Sequence, residues 1–438
     1  MNVGRYIVMF LLSCIVSGFY YPFGFTFLPE SLNTKQIIGV LGILAFVIKC
    51  LKERKVEMQR MVVVSALLAI AFSVWCYFSM IDNGTDDTSY ATYIVSYAVW
   101  LGGAFGMISL IKAYHGYCNL QLITNYLAVV AVAQCILAQI IDNNVAFQTF
   151  VDTWVEQGQV FLHEVDRIYG IGASLDPAGV RFASVLILIG HQITVNRKVT
   201  DSNKLTTVYI ISFFIILVLG NLISRTTTVG GALALVYIFL FFGFARGGNL
   251  TQRQLRFYGI LAAIIVVGST VLVTLYNTNP DFRAQLRFGF EGFFNLFEQG
   301  EFRTDSSDKL QGEMWIWPET DHDWLIGRGL FGGWVFSTDI GYCRFTLYCG
   351  LIGLSIFTLL FLYCAYAITF KFRNVAILSL FILSLTFVIW VKVATDLFFI
   401  YAILFSIDGD YDEDGNEIDW DARLTGFVEP DTGPELET

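Results

Sequence analysis

Residues that can bind anions or transfer protons are concentrated in a few polar segments of an otherwise apolar chain. The longest of these segments, 277–341, contains Glu313, Asp339 and His322, and each of these side chains can accept a proton as a general base. We rank Glu313 first because it lies among tryptophans, Asp339 second and His322 third. Arginine binds carboxylates and phosphates through a planar fork of N–H donors. The arginines that are candidates for this role are Arg167, Arg181, Arg225, Arg283, Arg287, Arg328 and Arg344.

The run RIYGIGASLDPAGVRFA at 167–183 predicts the start of a helix, with Asp176 as its N-cap and Pro177 in its first turn. Arg181 then lies one turn inside that helix, where its cation can face an anionic lipid headgroup or a pyrophosphate. Arg167 and Arg181 bracket a glycine-rich turn whose backbone N–H groups could bind the same anion. The alternatives are that Arg181 snorkels to the membrane surface or forms an ion pair with Asp176.

The run SRTTTVGG at 224–231 predicts a tight hairpin between two helices, because its glycines let helices approach closely. Such a hairpin accounts for the threonines and glycines but does not require an arginine. We therefore interpret Arg225 as a phosphate ligand.

Two runs belong to the end of the long polar segment and to the helix after it. The run 310–334 places Trp315 and further tryptophans among Glu313, His322 and Arg328, which suits a sugar-binding site. The alternative is a belt of tryptophans at the membrane surface. In the run TDIGYCRFTLYCGLIG at 338–353, Asp339 is predicted to cap the helix and Arg344 lies one turn inside it.

The elements that must position these residues are membrane-spanning helices. Of the 438 residues 55% are hydrophobic and only 15% charged, and the mean hydropathy is +0.62. A bilayer needs roughly 20 apolar residues per helix. The sequence therefore predicts an all-α, polytopic integral membrane protein with about 11–12 transmembrane helices and a large extracytoplasmic loop. The predicted spans are 5–28, 36–51, 61–81, 90–112, 119–141, 177–195, 205–224, 227–245, 257–276, 342–370 and 374–391, with 395–407 as a run that crosses or re-enters.

Basic residues recur in alternate short loops, which places those loops in the cytoplasm. The first span is then an uncleaved helix with a cytoplasmic N-terminus, and the loops 142–176 and 277–341 face outward. The first of these loops is either an amphipathic segment lying on the membrane or a simple connector. Residues 1–407 form the membrane domain, and 408–438 form an acidic, disordered cytoplasmic tail.

The net charge of −10 comes largely from acidic residues of this tail and of loops, and it gives no indication of nucleic-acid binding. A calcium-loop-like run at 410–421 lies in the tail, but the composition favours a solvated acidic segment. The eight cysteines lack metal-ligand spacing, so we expect buried thiols without a disulfide or a structural metal.

These features together resemble the O-antigen polymerase and ligase family of bacterial envelopes. The resemblance rests on the SRT hairpin, the glycine-rich turn before Pro177, the WLIGRG run of the outer loop and the DIGYCRFTLYCGLIG run from Asp339 to Gly353. It implies an enzyme of the bacterial inner membrane whose site faces the periplasm. The substrate would be oligosaccharide units carried on undecaprenyl pyrophosphate, joined into O-antigen, capsular or exopolysaccharide without a cofactor. Partners would be membrane lipids and a chain-length regulator protein.

Two alternatives remain open. Ligases of this family carry His-Asn before the GLIG helix, where this chain has Thr338-Asp339, so the resemblance favours a polymerase. A transporter or flippase of lipid-linked oligosaccharide would place its charges on broken helices near mid-membrane, whereas most charges here gather at one face. Lys392 and Asp396 are the exception, and their spacing predicts an ion pair.

Overall fold

Eighteen helices and one pair of short strands form the regular structure of the part of the chain that this computed structural model describes. That part comprises residues 3–29, 31–165, 167–242, 252–304, 307–308, 312–332, 336–372 and 375–409. The helices in chain order are α1 (Val3–Tyr20), α2 (Thr34–Glu53), α3 (Arg60–Asp82), α4 (Tyr93–His115), α5 (Leu120–Asn143), α6 (Val145–Trp154), α7 (Gln159–Glu164), α8 (Leu175–Val195), α9 (Arg197–Thr200), α10 (Asn203–Ile223), α11 (Thr226–Phe241), α12 (Gln252–Thr278), α13 (Pro280–Gly289), α14 (Glu291–Gln299), α15 (Asp321–Leu325), α16 (Gly341–Lys371), α17 (Ala376–Ile389) and α18 (Phe398–Ser406).

Nine of the described helices are long and apolar enough to cross a bilayer: α1 to α5, α8, α10, α12 and α16. Helices α11 and α17 are shorter apolar helices, and α18 is an apolar helix of nine residues. The prediction of an all-α, multi-pass membrane protein is therefore confirmed. The first span was predicted to reach residue 28, but α1 ends at Tyr20. Pro22 accounts for this difference because proline disfavours helical conformation in itself and in the preceding residue.

Helix α8 is the centre of the bundle, since nearly all of its side chains are buried. It packs most closely against α11, where a Cβ on Gly230 would overlap the backbone of Ala183. Small residues at such crossings let two backbones approach and gain van der Waals contact in a membrane. The hairpin predicted at 224–231 is present, because α10 ends at Ile223 and α11 begins at Thr226. Gly230 of this hairpin packs against the central helix, whereas Gly231 faces Leu217 of α10.

The span predicted at 342–370 corresponds to α16, but α16 has a break that was not predicted at Gly350, where φ is 64°. The break leaves backbone carbonyls without helical partners, which would be costly inside a membrane. Residues 328 and 329 supply partners: Arg328 N–H donates to the Leu347 carbonyl at 2.6 Å and Gly329 N–H to the Tyr348 carbonyl at 3.0 Å. The Trp75 indole donates to the Cys349 carbonyl at 2.8 Å. The glycine-rich turn after α15 is therefore docked onto the break.

One end of the bundle, here called the basic end, collects Arg5, Lys112, Lys371 and Asp408. The Tyr114 hydroxyl donates to the Arg5 carbonyl, and Lys112 forms an ion pair with Asp408 at 2.5 Å. Lys371 Nζ donates to the Phe405 carbonyl at 2.6 Å. The run 395–407 therefore returns to the end at which α16 finishes. The described structure extends to Gly409, while residues 410–438 of the predicted tail, with the calcium-like run, lie outside the described residues.

The opposite end, here called the loop end, is formed by residues 83–92, 167–176, 224–226, 326–332 and 390–397. The segment 142–176 is not one amphipathic helix: it contains α6 and α7, separated by the strand β2 (Val155–Glu156). This strand pairs with β1 (Gly24–Phe25), and Gly158 follows it with a positive φ. Strand pairing and that glycine interrupt the helix. In the long polar segment, α13, α14 and α15 lie between α12 and α16.

All eight cysteines are free thiols, and six of them are buried. Burial fits their role as small apolar side chains in the helix bundle.

Candidate functional site

A cavity of about 430 Å³ opens at the loop end of the bundle. Its volume is within the usual range of small-molecule sites, roughly 300–1,000 Å³. Its walls combine aromatic rings and hydroxyl groups with three charged residues from different elements: Lys35, Arg181 and Asp396. The remaining lining residues are Ser89, Tyr90, Tyr93, Ser96, Trp100, Pro177, Val180, Phe331, Thr395 and Phe399.

The two cations of the cavity, Lys35 and Arg181, take part in no ion pair within the described part of the chain. Lys35 Nζ lies 4.7 Å from the centroid of the Trp100 ring. Arg181 donates one bond, from Nη1 to the Pro177 carbonyl at 2.7 Å, and its guanidinium lies over Phe399. Its Nε is buried and has no hydrogen-bond partner among the described residues. The ion pair with Asp176, one of the alternatives considered for Arg181, is absent because Asp176 pairs with Lys392. Both cations of the cavity remain available to an anion.

Asp396 supplies the negative charge of the cavity. Its Oδ1 accepts the Phe398 N–H at 2.9 Å, at the start of α18. The predicted ion pair between Lys392 and Asp396 is wrong, because residues 390–397 are not helical and the i, i+4 relation does not exist there. Lys392 Nζ instead lies 2.6 Å from Asp176 Oδ1.

Asp176 is not the N-cap of its helix, because α8 begins two residues earlier than predicted and Ser174 occupies the capping position. Its carboxylate instead accepts hydrogen bonds from Ser224, Thr226 and Lys392. These bonds join α8, the 224–231 hairpin and the stretch 390–397. The glycine-rich turn was predicted to offer N–H donors to an anion. Two of these donors already have partners, because Ile171 N–H donates to Gln134 and Gly172 N–H donates to Gln157.

Asp339 was predicted to cap α16, but Ile340 is the N-cap and makes no capping bond through its side chain. The Asp339 carboxyl is half-buried and makes no hydrogen bond within the described residues. Burial raises its pKa above the ordinary value, although the nearby Arg344 opposes this shift. Arg344 donates to the Phe331 carbonyl and stacks on the Phe331 ring at 4.0 Å. It therefore supports one wall of the cavity.

The same wall is held from the other side by Asp87. Its Oδ2 accepts the N–H groups of Phe331 and Gly332 at 2.6 and 2.7 Å, and its Oδ1 accepts from Ser89. Burial alone would raise the pKa of Asp87, but these donors stabilise the carboxylate and lower the pKa below the ordinary value. The ionised Asp87 thus fixes Phe331, which lines the cavity.

Arg167 and Arg225 lie on the Phe288 ring, with guanidinium-to-centroid distances of 4.2 and 4.1 Å. Arg225 also forms an ion pair with Glu291 at 2.6 Å. These two arginines therefore bind the α13–α14 region and are not cavity-lining residues.

The other sequence-predicted arginines have partners within their own segments. Arg283 donates to the carbonyls of Tyr276 and Asn277 at the end of α12. Arg287 pairs with Glu298, and Arg328 pairs with Asp323. None of these lines the cavity.

The predicted bases Glu313 and His322 are exposed, and His322 is 2.7 Å from Asp82. The Thr338 hydroxyl donates to the Met314 carbonyl, which brings the segment that contains Glu313 next to the segment that contains Asp339. Trp315, Trp317 and Trp324 form a row of rings with centroids 5.7 and 5.6 Å apart. Trp315 is 41% exposed, so this aromatic surface is open to solvent.

Sequence reasoning missed Lys35 and the place of Asp396 in the cavity. A signal for Lys35 was present, because a lysine between the predicted spans 5–28 and 36–51 departs from the alternation of basic loops. Nothing in the sequence pairs Asp396 with Arg181, which is 215 positions away in a different helix.

The fold thus defines a polytopic α-helical membrane protein with a charged cavity at one end. No family model, curated protein or solved structure matches this chain.

Proposed function

We propose that the chain is a glycosyltransferase that extends a polysaccharide from units carried on undecaprenyl pyrophosphate. The membrane is the bacterial inner membrane, and the loop end faces outward. In the reaction, a hydroxyl of the acceptor sugar attacks the anomeric carbon of the donor. The bond between that carbon and the pyrophosphate breaks, and the pyrophosphate leaves with its lipid.

The observation that carries this proposal is the pair of cations in the cavity, neither of which forms an ion pair in the described part of the chain although the cavity also holds Asp396. A charge without a partner is expensive in a partly buried site, so an anionic ligand is the expected counterpart. Arg181 offers N–H donors to a pyrophosphate and Lys35 offers a mobile point charge. Two cations placed before the reaction stabilise the negative charge that develops on the leaving group. The aromatic and hydroxyl lining suits a sugar.

A second candidate, transport of a lipid-linked oligosaccharide, is favoured by the break at Gly350 and the non-helical stretch 390–397. Transporters use discontinuous helices of this kind around their substrates. A reconstituted assay separates the two: a transferase lengthens chains in detergent solution, whereas a transporter moves its substrate between leaflets and leaves it unchanged.

The test uses the full chain purified from a host that supplies the lipid-linked units. We expect Arg181→Ala and Lys35→Met each to weaken binding of undecaprenyl pyrophosphate by about 10-fold or more, since a hydrogen bond to a charged group contributes roughly 1.5–3 kcal/mol. Chain extension, measured by gel separation of the products, should decrease together with this binding. Arg181→Lys should retain part of the activity because it keeps the charge but loses the fork.

The matched control is Arg303→Ala, which removes an exposed arginine whose partners are Glu301 and Asp308. Its binding and extension should equal those of the unaltered protein. Normal extension by both Arg181→Ala and Lys35→Met would reject the cavity as the pyrophosphate site.

A further inference from the structure

We propose that Asp396 is the catalytic base of the transfer, taking the proton from the acceptor hydroxyl. This inference rests on the glycosyl transfer proposed above. It also differs from the order expected from sequence, in which Glu313, Asp339 and His322 are the candidates.

The two oxygens of Asp396 have different surroundings. Oδ1 accepts the Phe398 N–H and so belongs to the start of α18. Oδ2 has no hydrogen-bond or ion-pair partner in the described part of the chain, although the residue lines the cavity. One oxygen therefore fixes the carboxyl group, and the other is left to accept a proton from a bound ligand.

Asp396 shares the cavity with the two cations that would hold the leaving pyrophosphate. Neither Lys35 nor Arg181 forms an ion pair with Asp396 in the described part of the chain. An acceptor sugar bound between the carboxylate and the cations would have its hydroxyl beside the base, with the departing pyrophosphate on the cationic side. A base must reach the proton that it takes, and among the described lining residues Asp396 is the one carboxylate.

Three other carboxylates near the loop end have hydrogen-bond or ion-pair partners. Asp176 accepts from Lys392 and Thr226, and Asp87 accepts from Phe331 and Gly332. Glu291 is paired with Arg225. Asp339 lacks a hydrogen bond but does not line the cavity. A proton acceptor with an open oxygen and access to the cavity is therefore found at Asp396.

The step balances without a further reactant. The acceptor oxygen forms a bond to the anomeric carbon while the bond from that carbon to the pyrophosphate oxygen breaks. The bonding electrons leave with the pyrophosphate, and the hydroxyl proton moves to Asp396 Oδ2. The neutral carboxyl group then returns its proton to water before the next cycle.

The test uses Asp396→Asn and Asp396→Ser in the full-length protein. Both side chains keep an oxygen that can accept the Phe398 N–H, so the start of α18 is preserved while the proton acceptor is removed. The probes are undecaprenyl pyrophosphate for binding and lipid-linked units extracted from cells that lack this chain for turnover. Asp86→Asn is the matched control, because Asp86 is an exposed carboxylate at the same end.

We expect both Asp396 variants to bind undecaprenyl pyrophosphate within about threefold of the unaltered protein and to lose turnover by about 10²–10⁴-fold, the usual contribution of a positioned base. Asp86→Asn should match the unaltered protein in both measurements. Near-normal turnover by either Asp396 variant overturns the proposal. Loss of binding together with turnover, or failure of both variants to fold, assigns Asp396 a structural role and also overturns it.

If the proposed glycosyl transfer itself is wrong, the experiment gives a different result from the one that rejects Asp396 as the base. In that case the unaltered protein neither binds undecaprenyl pyrophosphate nor extends the lipid-linked units. If the unaltered protein is active and only Glu313→Gln abolishes turnover, the base lies in the outer loop and the proposal is wrong.

Discussion

Lys392 and Asp176 form an ion pair at 2.6 Å although they are 216 positions apart in the sequence. The pair joins the first turn of α8 to the non-helical stretch 390–397, and Thr226 bonds to both partners. Because Asp396 follows four residues after Lys392, the pair also fixes the segment that carries the cavity carboxylate. The ion pair between Lys392 and Asp176 thus helps to hold Asp396 at the cavity.

Breaking this pair should destabilise the protein. Lys392→Met leaves Asp176 without its cation, and we expect a loss of about 1–3 kcal/mol in the free energy of unfolding, the cost of an unsatisfied buried group. The side chains are 32% and 28% exposed, so the loss should be smaller than for a fully buried pair. Equilibrium unfolding in mixed micelles measures it. Lys55→Met, which removes an exposed pair with Glu57, should change stability little, and an equal loss there would contradict this expectation.

The existence and order of the apolar spanning helices could be predicted from the sequence, because each of them must be apolar over its own length. The break at Gly350 could not be predicted in this way. It depends on the docking of residues 328 and 329, which supply N–H donors from a segment that precedes the helix. The residues around Gly350 do not indicate that such donors are nearby in the folded protein.

The candidate site was predicted in part. Arg181 was identified because a cation near a helix start in a membrane protein needs an explanation. Arg225 was selected for a similar reason and Arg287 because it lies in the long polar segment, yet the structure pairs them with Glu291 and Glu298. Composition cannot distinguish an arginine with a carboxylate partner from one without, since the partners come from tertiary packing.

Gly327 and Gly350 face each other across the break in α16, and both have positive φ. A Cβ at Gly350 would overlap the Leu325 carbonyl, and a Cβ at Gly327 would overlap that of Tyr348. We expect Gly350→Ala and Gly327→Ala each to lower the stability by about 1–3 kcal/mol, the cost of strained backbone. Thermal midpoints in detergent check this. Gly268→Ala in α12 has open space around it and should be neutral or stabilising; tolerance of Gly350→Ala would contradict the docking.

The pH dependence of stability should report Asp87. Its pKa is lowered in the folded protein, so its contribution is present above the unfolded-state pKa, about 3.9, and is lost as pH falls through the folded-state value. The difference in thermal midpoint between the unaltered protein and Asp87→Ala should therefore be constant from neutral pH down to about 5 and shrink below about 4. Asp86→Ala serves as the control, since Asp86 is exposed and should give no such difference. A difference that grows on acidification would contradict the hydrogen bonds to Phe331 and Gly332.

Arg225 was predicted from sequence to bind phosphate, and its pairing with Glu291 provides a way to test that role. The side chains are 18% and 20% exposed, so we expect Arg225→Ala and Glu291→Ala each to cost about 1–3 kcal/mol. The double variant should cost clearly less than their sum, because each single change already removes the pair. The exposed pair Arg287–Glu298 provides the comparison, and we expect little or no coupling between its two side chains. If Arg225→Ala abolishes chain extension without loss of stability, while Glu291→Ala leaves both unchanged, Arg225 binds substrate and its structural role is secondary.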